Sequence, residues 1–210
     1  MDLKDTYRTK SALTRHVRKK LDARTLDQAF FTALVAYHPW CPRAGPGRWV
    51  ARGRHLTRDR RDGSEPRTIS WRTCVAGVFS KSRDVLVARL RRRDFMAAAR
   101  AEVHCQTARF RAQAARDTDP RYADSKRWHV GHDYEQGGRF VAIVNAFIVK
   151  EQLSDPMPRT EVHGTPSRNR LRDRALARRW QAFHRGRAKL RMERAQDNLA
   201  GNRGFKRADG

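Results

Sequence analysis

Apolar residues fall into a helical rhythm over several stretches of this 210-residue chain. Leu26, Phe30, Ala33, Leu34 and Tyr37 recur at helical spacing behind Thr25, Leu26, Asp27 and Gln28, a capping-box pattern, until Pro39 stops the run. Leu13, Val17 and Leu21 mark a shorter basic helix that starts near Thr9 or Ser11. From Pro39 to Gly77 the texture changes to turn residues, among them Gly45, Pro46, Gly47, Gly53 and the pair Asp62-Gly63. Short apolar runs lie around Trp49-Val50 and from Thr68 to Val75, which predicts a small β-hairpin or meander. Ser82 to Asp117 contains no Gly or Pro, and Leu86, Leu90, Ala97, Ala101 and Ala108 fall near the helical period, so one long helix is expected, ended by Pro120. Phe140, Val141, Val144, Phe147 and Ile148 form an amphipathic helix after Gly137-Gly138. Beyond a Pro-containing linker from Asp155 to Pro166, Leu176, Trp180, Phe183 and Leu190 mark a last helix with Arg on its other faces, closed by Gly201 and Gly204.

The expected fold class is α+β: two N-terminal helices, a small hairpin or meander, a long central helix and a basic C-terminal helix. Three regions follow. Residues 1–80 make an α+β core, residues 81–155 hold the long helix and the segment after it, and residues 156–210 hold the linker and the Arg-rich helix.

Charge changes this picture most. The chain carries 47 Lys plus Arg against 22 Asp plus Glu, a formal net charge of +25. Residues 1–155 hold +15 of it and residues 156–210 hold +10, so it is not a basic tail on a neutral domain. A polyanion is the expected partner. Arg outnumbers Lys by 38 to 9, which suits bidentate phosphate contacts and base stacking but also follows from a GC-rich coding sequence. With so few acids available, the clusters Arg58, Arg60, Arg61 and Arg91, Arg92, Arg93 are read as phosphate contacts. So are Arg168, Arg170, Arg172, Arg178, Arg179, Arg185 and Arg187. Trp71 and Trp180 sit on apolar stripes and are expected in the core, whereas Trp40 and Trp49 flank an Arg/Gly/Pro loop and are candidates for base stacking. Cys41, Cys74 and Cys105 form no CxxC pair, which fits a reducing compartment. No apolar run reaches the ~20 residues of a membrane helix, and the first residues do not read as a secretory signal.

Several short motifs, in order, carry a resemblance. Tyr7, Thr9, Lys10 and Ala12 open the series. His38, Pro39, Arg43, Gly45 and Gly47 follow, and then Asp62, Gly63, Ile69, Ser70, Trp71, Arg72, Cys74, Val75 and Gly77. Lys81, Ala99, Arg100 and Val103 lead on to His129, Val130, Gly131, His132, Phe140 and Phe147, and the series ends with Trp180, Phe183, His184, Ala188, Leu190, Arg191, Asn198 and Leu199. Together they resemble the family named for the plant defective chloroplasts and leaves protein, in its longer bacterial and phage-type form, over nearly the whole chain. That form has a His-Val-Asp-His motif similar to the HNH nuclease metal site. The resemblance implies His132 as a general base, with His129, Asp133 or Asn198 near a divalent metal. The position of the metal carboxylate is Gly131, however, and Gly has no oxygen to offer. Asp133 is the candidate to stand in for the lost ligand, yet a one-residue shift is expected to point it to the other strand face. His129 and His132 are therefore read as hydrogen-bonded histidines kept from an ancestral site. His184 is expected at a core edge or on a phosphate.

The expected function is a non-catalytic RNA-binding protein, a ribosomal component or a factor in ribosomal RNA maturation or assembly. Its expected partners are ribosomal RNA and neighbouring ribosomal or assembly proteins, with no cofactor and no membrane. A mitochondrion or plastid suits the family, with a bacterial or phage-infected cytoplasm as the other setting. The alternative is an HNH-like metal-dependent nuclease of phage or mobile-element origin. A polymerase accessory domain is a third possibility, because the short core of the family also ends plant polymerase subunits.

Overall fold

The computed structural model describes residues 2–24, 26–40, 48–52, 55–59, 67–133, 138–153, 160–161 and 169–198. The fold is α+β, with helices accompanied by small antiparallel sheets. Two compact units divide the chain at Arg89 and Leu90. The boundary falls inside a helix, and the regions expected as 81–155 and 156–210 share one unit from Leu90 onward. No helix among the described residues is long and apolar enough to cross a membrane.

In the first unit, α1 (Leu3–Thr6) is followed by α2 (Lys10–Asp22), capped by Thr9, whose hydroxyl accepts from the Ala12 amide at 3.2 Å. Leu13, Val17 and Leu21 are buried at successive turns of α2, as their spacing requires. The third helix, α3 (Gln28–Ala36), starts two residues later than the capping-box pattern suggests, because Asp27 is the cap and accepts from the Phe30 amide at 3.1 Å. Gln28 turns instead to the sheet, accepting from the Trp49 amide at 2.8 Å and donating to its carbonyl at 2.9 Å. That sheet is β1 (Arg48–Arg52), β2 (His55–Asp59) and β3 (Arg67–Ile69), antiparallel in chain order.

The run expected as strand from Thr68 to Val75 divides after β3. Ser70 caps α4 (Trp71–Val78), whose buried Trp71, Cys74, Val75 and Val78 follow helical, not alternating, spacing. A Cβ at Gly77 would collide with the Tyr37 carbonyl, so the glycine permits the close approach of α4 to the end of α3.

The helical run after Ser82 is broken into α5 (Arg83–Glu102) and α6 (His104–Asp117) at Val103. Neither Gly nor Pro marks the break. It lies where Glu102 and Val103 both enter the core of the second unit, with 4% and 2% of their surface exposed. The Glu102 carboxylate accepts from the Leu171 amide at 3.2 Å, from Arg174 at 2.5 Å and from Gln181 at 3.1 Å. Buried charge persists only with such compensation.

After a 3₁₀ turn (Pro120–Ala123), the unit continues with β4 (Trp128–His132), α7 (Phe140–Lys150), β5 (Thr160–Glu161), β6 (Arg170–Leu171), α8 (Arg174–Arg187) and β7 (Leu190–Arg194). Asp173 caps α8 through the Ala175 and Leu176 amides. Leu176, Ala177, Trp180 and His184 form the buried stripe of α8, packed with Phe95, Ala98 and Ala99 of α5 and Ile143, Val144 and Phe147 of α7. Trp180 is fully buried and donates its indole N–H to the Ala99 carbonyl at 2.8 Å; burying so large a side chain contributes about 3 kcal/mol. The last helix therefore docks in this core. It ends at Arg187, not near Gly201, and Leu190 belongs to β7, which pairs antiparallel with β4.

Candidate functional site

Strand β4 carries the motif residues, and β7 covers its open edge in a register that sets His129 opposite Glu193, Gly131 opposite Arg191 and His132 opposite Leu190. Directly opposed residues of an antiparallel pair share a face, so His129, Gly131, Arg191 and Glu193 lie on one side and His132 on the other. Alternation thus separates Asp133 from His132 but not from Gly131. The strand ends before Asp133, whose amide donates to the Lys189 carbonyl at 2.7 Å.

On the first face, the Glu193 carboxylate reaches diagonally over Gly131 and fills the space that a Cβ there would occupy. Asn198 donates from Nδ2 to Glu193 Oε1, and Arg191 Nη2 stands 3.6 Å from Oε2. Glu193 occupies the room left by the missing side chain. It is turned inward, with 12% of its side chain exposed, and is engaged by an amide and a guanidinium. Asn198 is thereby placed beside Gly131. The residues do not fit the divalent metal of the resembled site: among the described residues no three His, Cys, Asp or Glu side chains are grouped to hold an ion.

On the other face, His132 is half-buried, and its Nε2 meets Nε2 of His184 at 3.0 Å. His184 is 1% exposed, deeper than the core edge expected of it and out of reach of a phosphate. Its Nδ1 lies 2.8 Å from Gln106 Oε1, and Gln106 Nε2 donates to the Gln181 carbonyl at 2.8 Å. That second bond orients the amide, so His184 must donate from Nδ1. Neutral His184 then accepts at Nε2, and His132 donates from its own Nε2. Phe140 lies edge-on to His132 at 5.5 Å and Trp180 to His184 at 5.5 Å. Burial, reinforced by His132, pushes the His184 pKa down to about 4. Burial and the Arg100 charge lower that of His132 as well. The histidines form a neutral, directional chain from α6 to β4, in which Nε2 of His132 carries the proton shared with His184.

The structure sorts the predicted nucleic-acid contacts. Arg60, Arg61 and Arg168 lie outside the described residues. Trp49 and Arg58 are corrected: Trp49 is 2% exposed with its indole donating to Thr32 at 3.2 Å, and Arg58 is 6% exposed with its guanidinium 5.6 Å from the Trp49 ring. The pairing with Gln28 draws that strand into the core. Trp40 remains 48% exposed. Arg172, Arg178, Arg185 and Arg187 are exposed, with Arg187 against Phe183. Arg92 and Arg93 are exposed too, but hold Asn145 and Asp94, while Arg179 holds Glu151 at 2.7 Å. Arg91 and Arg170 are half-buried. Comparison with family models, with curated proteins and with solved structures finds no match to this chain.

Sequence reading passed over a second group. Arg121, Lys126, Arg127, Trp128 and Arg194 line a cleft of about 540 Å³ with Asp124, Ala195 and Gln196. The signal available for it is the contiguous Lys126-Arg127-Trp128, in a stretch that reads as a short polar connection.

Proposed function

We propose that this is a non-catalytic RNA-binding protein, a component of a ribosome or a factor in the maturation or assembly of ribosomal RNA. The observation that carries the reading is the dispersal of exposed Arg. Arg92 and Arg93 on α5, Arg121 and Arg127 around the 3₁₀ turn, Arg172 before α8 and Arg178, Arg185 and Arg187 along it lie on separate elements of one unit. The 22 acids of the chain cannot neutralise its 47 cations, and RNA that surrounds a protein meets charge on several faces. The state of β4 supports the same reading. A hydrolytic metal needs a carboxylate aimed outward, whereas the Glu193 carboxylate is turned onto Gly131 and engaged by Asn198 and Arg191, and Nε2 of His132 is tied to the buried His184. The resemblance to the defective chloroplasts and leaves family points to the same class of partner and to a mitochondrial or plastid ribosome.

The test is sedimentation of the protein at native abundance. It should travel with a ribosomal particle or its precursor at about 0.3 M salt, where weak phosphate contacts are screened, and move to the top of the gradient after ribonuclease. Sedimentation as a free protein before and after ribonuclease would refute the ribosomal reading.

A further inference from the structure

The cleft beside β4 is built from two directions. The 3₁₀ turn and the following loop supply Arg121, Lys126 and Arg127, and the end of β7 supplies Arg194, whose register partner is Trp128. Its frame is held by backbone bonds. The Asp124 carbonyl accepts from the Arg127 and Trp128 amides at 3.2 and 2.9 Å, its carboxylate accepts from the Lys126 amide at 2.9 Å, and the Arg127 carbonyl accepts from the Ala195 amide at 2.8 Å. Tyr122 packs edge-on against the Trp128 indole, with ring centres 4.8 Å apart and an angle of 72°. The indole thus packs on Tyr122 and also lines the cleft.

Charge in and around the cleft is unbalanced. Four cations line it against the single carboxylate of Asp124, which stands 3.6 Å from Arg127. Arg121 is held by Asp119 at 2.7 Å, yet its side chain stays 79% exposed, and that of Arg127 is 83% exposed. A volume of about 540 Å³ falls within the range of small-molecule sites. An indole lining a cleft whose cations come from two elements suits a planar, π-bearing group joined to phosphates. In a duplex the base faces are stacked on one another and cannot reach an indole, whereas a loop or bulge presents them unstacked.

We propose that this cleft takes one unpaired nucleotide of an RNA strand, its base stacked on Trp128 and its flanking phosphates held by Arg127, Lys126 and Arg121 on one side and Arg194 on the other. This rests on the reading that the protein binds RNA, and it names the form of RNA that this site selects. Asp119 holds Arg121 and Asp124 accepts from the Lys126 amide, so the frame of the site is formed before the strand arrives.

The test uses the full-length chain with two probes, an oligouridylate of about ten nucleotides and a blunt RNA duplex with a matching number of phosphates. Trp128→Ala should weaken oligouridylate binding roughly tenfold and duplex binding less than about twofold, and Trp128→Phe should retain most of the affinity. Equal losses on both probes, or none, would overturn the proposal. Should Trp128→Ala disturb the fold, the unaltered protein still decides. Ultraviolet crosslinking to 4-thiouridine in the same oligonucleotide should place an adduct within residues 121–128 or 194–196, and adducts confined to other segments would reject the cleft. A native chain that binds neither probe refutes RNA binding itself. One that binds both probes equally, without an adduct at the cleft, refutes only this site.

Discussion

Gly131→Asp should destabilise the second unit by about 3 kcal/mol and should create no nuclease. This substitution turns His129-Val130-Gly131-His132 into the His-Val-Asp-His pattern weighed in the sequence, yet the space beside Gly131 is already filled by Glu193. A side chain at 131 would push the Glu193 carboxylate away from Asn198 and Arg191 and set a second carboxylate beside it on a buried stretch of strand. Glu193 is the end of a flexible side chain, so steric overlap is the smaller part of the cost. Desolvation of the new charge and repulsion between like charges make up the rest. Urea denaturation of the wild type, Gly131→Asp, Glu193→Gln and the double variant measures the coupling. The double variant should recover part of the loss, because glutamine, equal in size to glutamate, removes the repulsion between like charges but not the steric overlap. Strictly additive losses, or a Gly131→Asp protein that keeps full stability and cuts nucleic acid with Mg²⁺, would contradict the geometry on which the functional reading rests.

Stability should also fall by about 2 kcal/mol as the pH drops from 7.5 to 5, through His184. Burial holds this imidazole neutral to about pH 4, while in the unfolded chain it takes up a proton near pH 6.5. Between those values the unfolded state binds more protons, so stability rises with pH there. The contribution is fully present above the unfolded pKa and is lost as pH falls toward 4. His132, whose pKa is lowered for the same reason, adds to the slope. Protonation of His184 would also put a proton on the Nε2 that now accepts from His132, leaving two donors face to face. Denaturation midpoints measured across this range at fixed ionic strength should show the loss in the wild type and a flatter profile in His184→Gln. Identical profiles for the two proteins would mean that the histidine is not held neutral.

The helices were legible wherever apolar spacing alone decides the structure. The Leu13, Val17 and Leu21 stripe, the Phe140 to Ile148 face and the Leu176, Trp180 stripe all fold as their periodicity requires. The misses share a cause in contacts distant in sequence. β4 reads Trp-His-Val-Gly-His, with only Trp128 and Val130 in apolar alternation, and nothing local predicts its pairing with β7, about sixty residues away along the chain. The break at Val103 depends on Glu102 meeting Leu171 and Arg174, and the burial of Trp49 depends on Gln28. Of the candidate site, the absence of a carboxylate at Gly131 was plain from the sequence. The occupant of its space, Glu193, and the hydrogen-bond partner of His132, His184, become visible only when the chain is folded. Charge counting points to a polyanionic class of ligand but not to the side chains that would meet it. Arg58 and Trp49 carry the composition of a nucleic-acid contact and lie in the core, while Lys126, Arg127 and Trp128 form a cleft inside a segment with no periodic signal.

The central claim is that this chain holds nucleic acid and does not cut it. The most direct measurement incubates the purified full-length protein with a structured RNA and with duplex DNA in Mg²⁺, following binding and strand integrity in the same samples. We expect RNA affinity to fall roughly a thousandfold between about 50 and 200 mM salt, with both nucleic acids intact throughout and His132→Ala without effect on their integrity. Duplex DNA cut in Mg²⁺ by the wild type and left whole by His132→Ala would contradict the account.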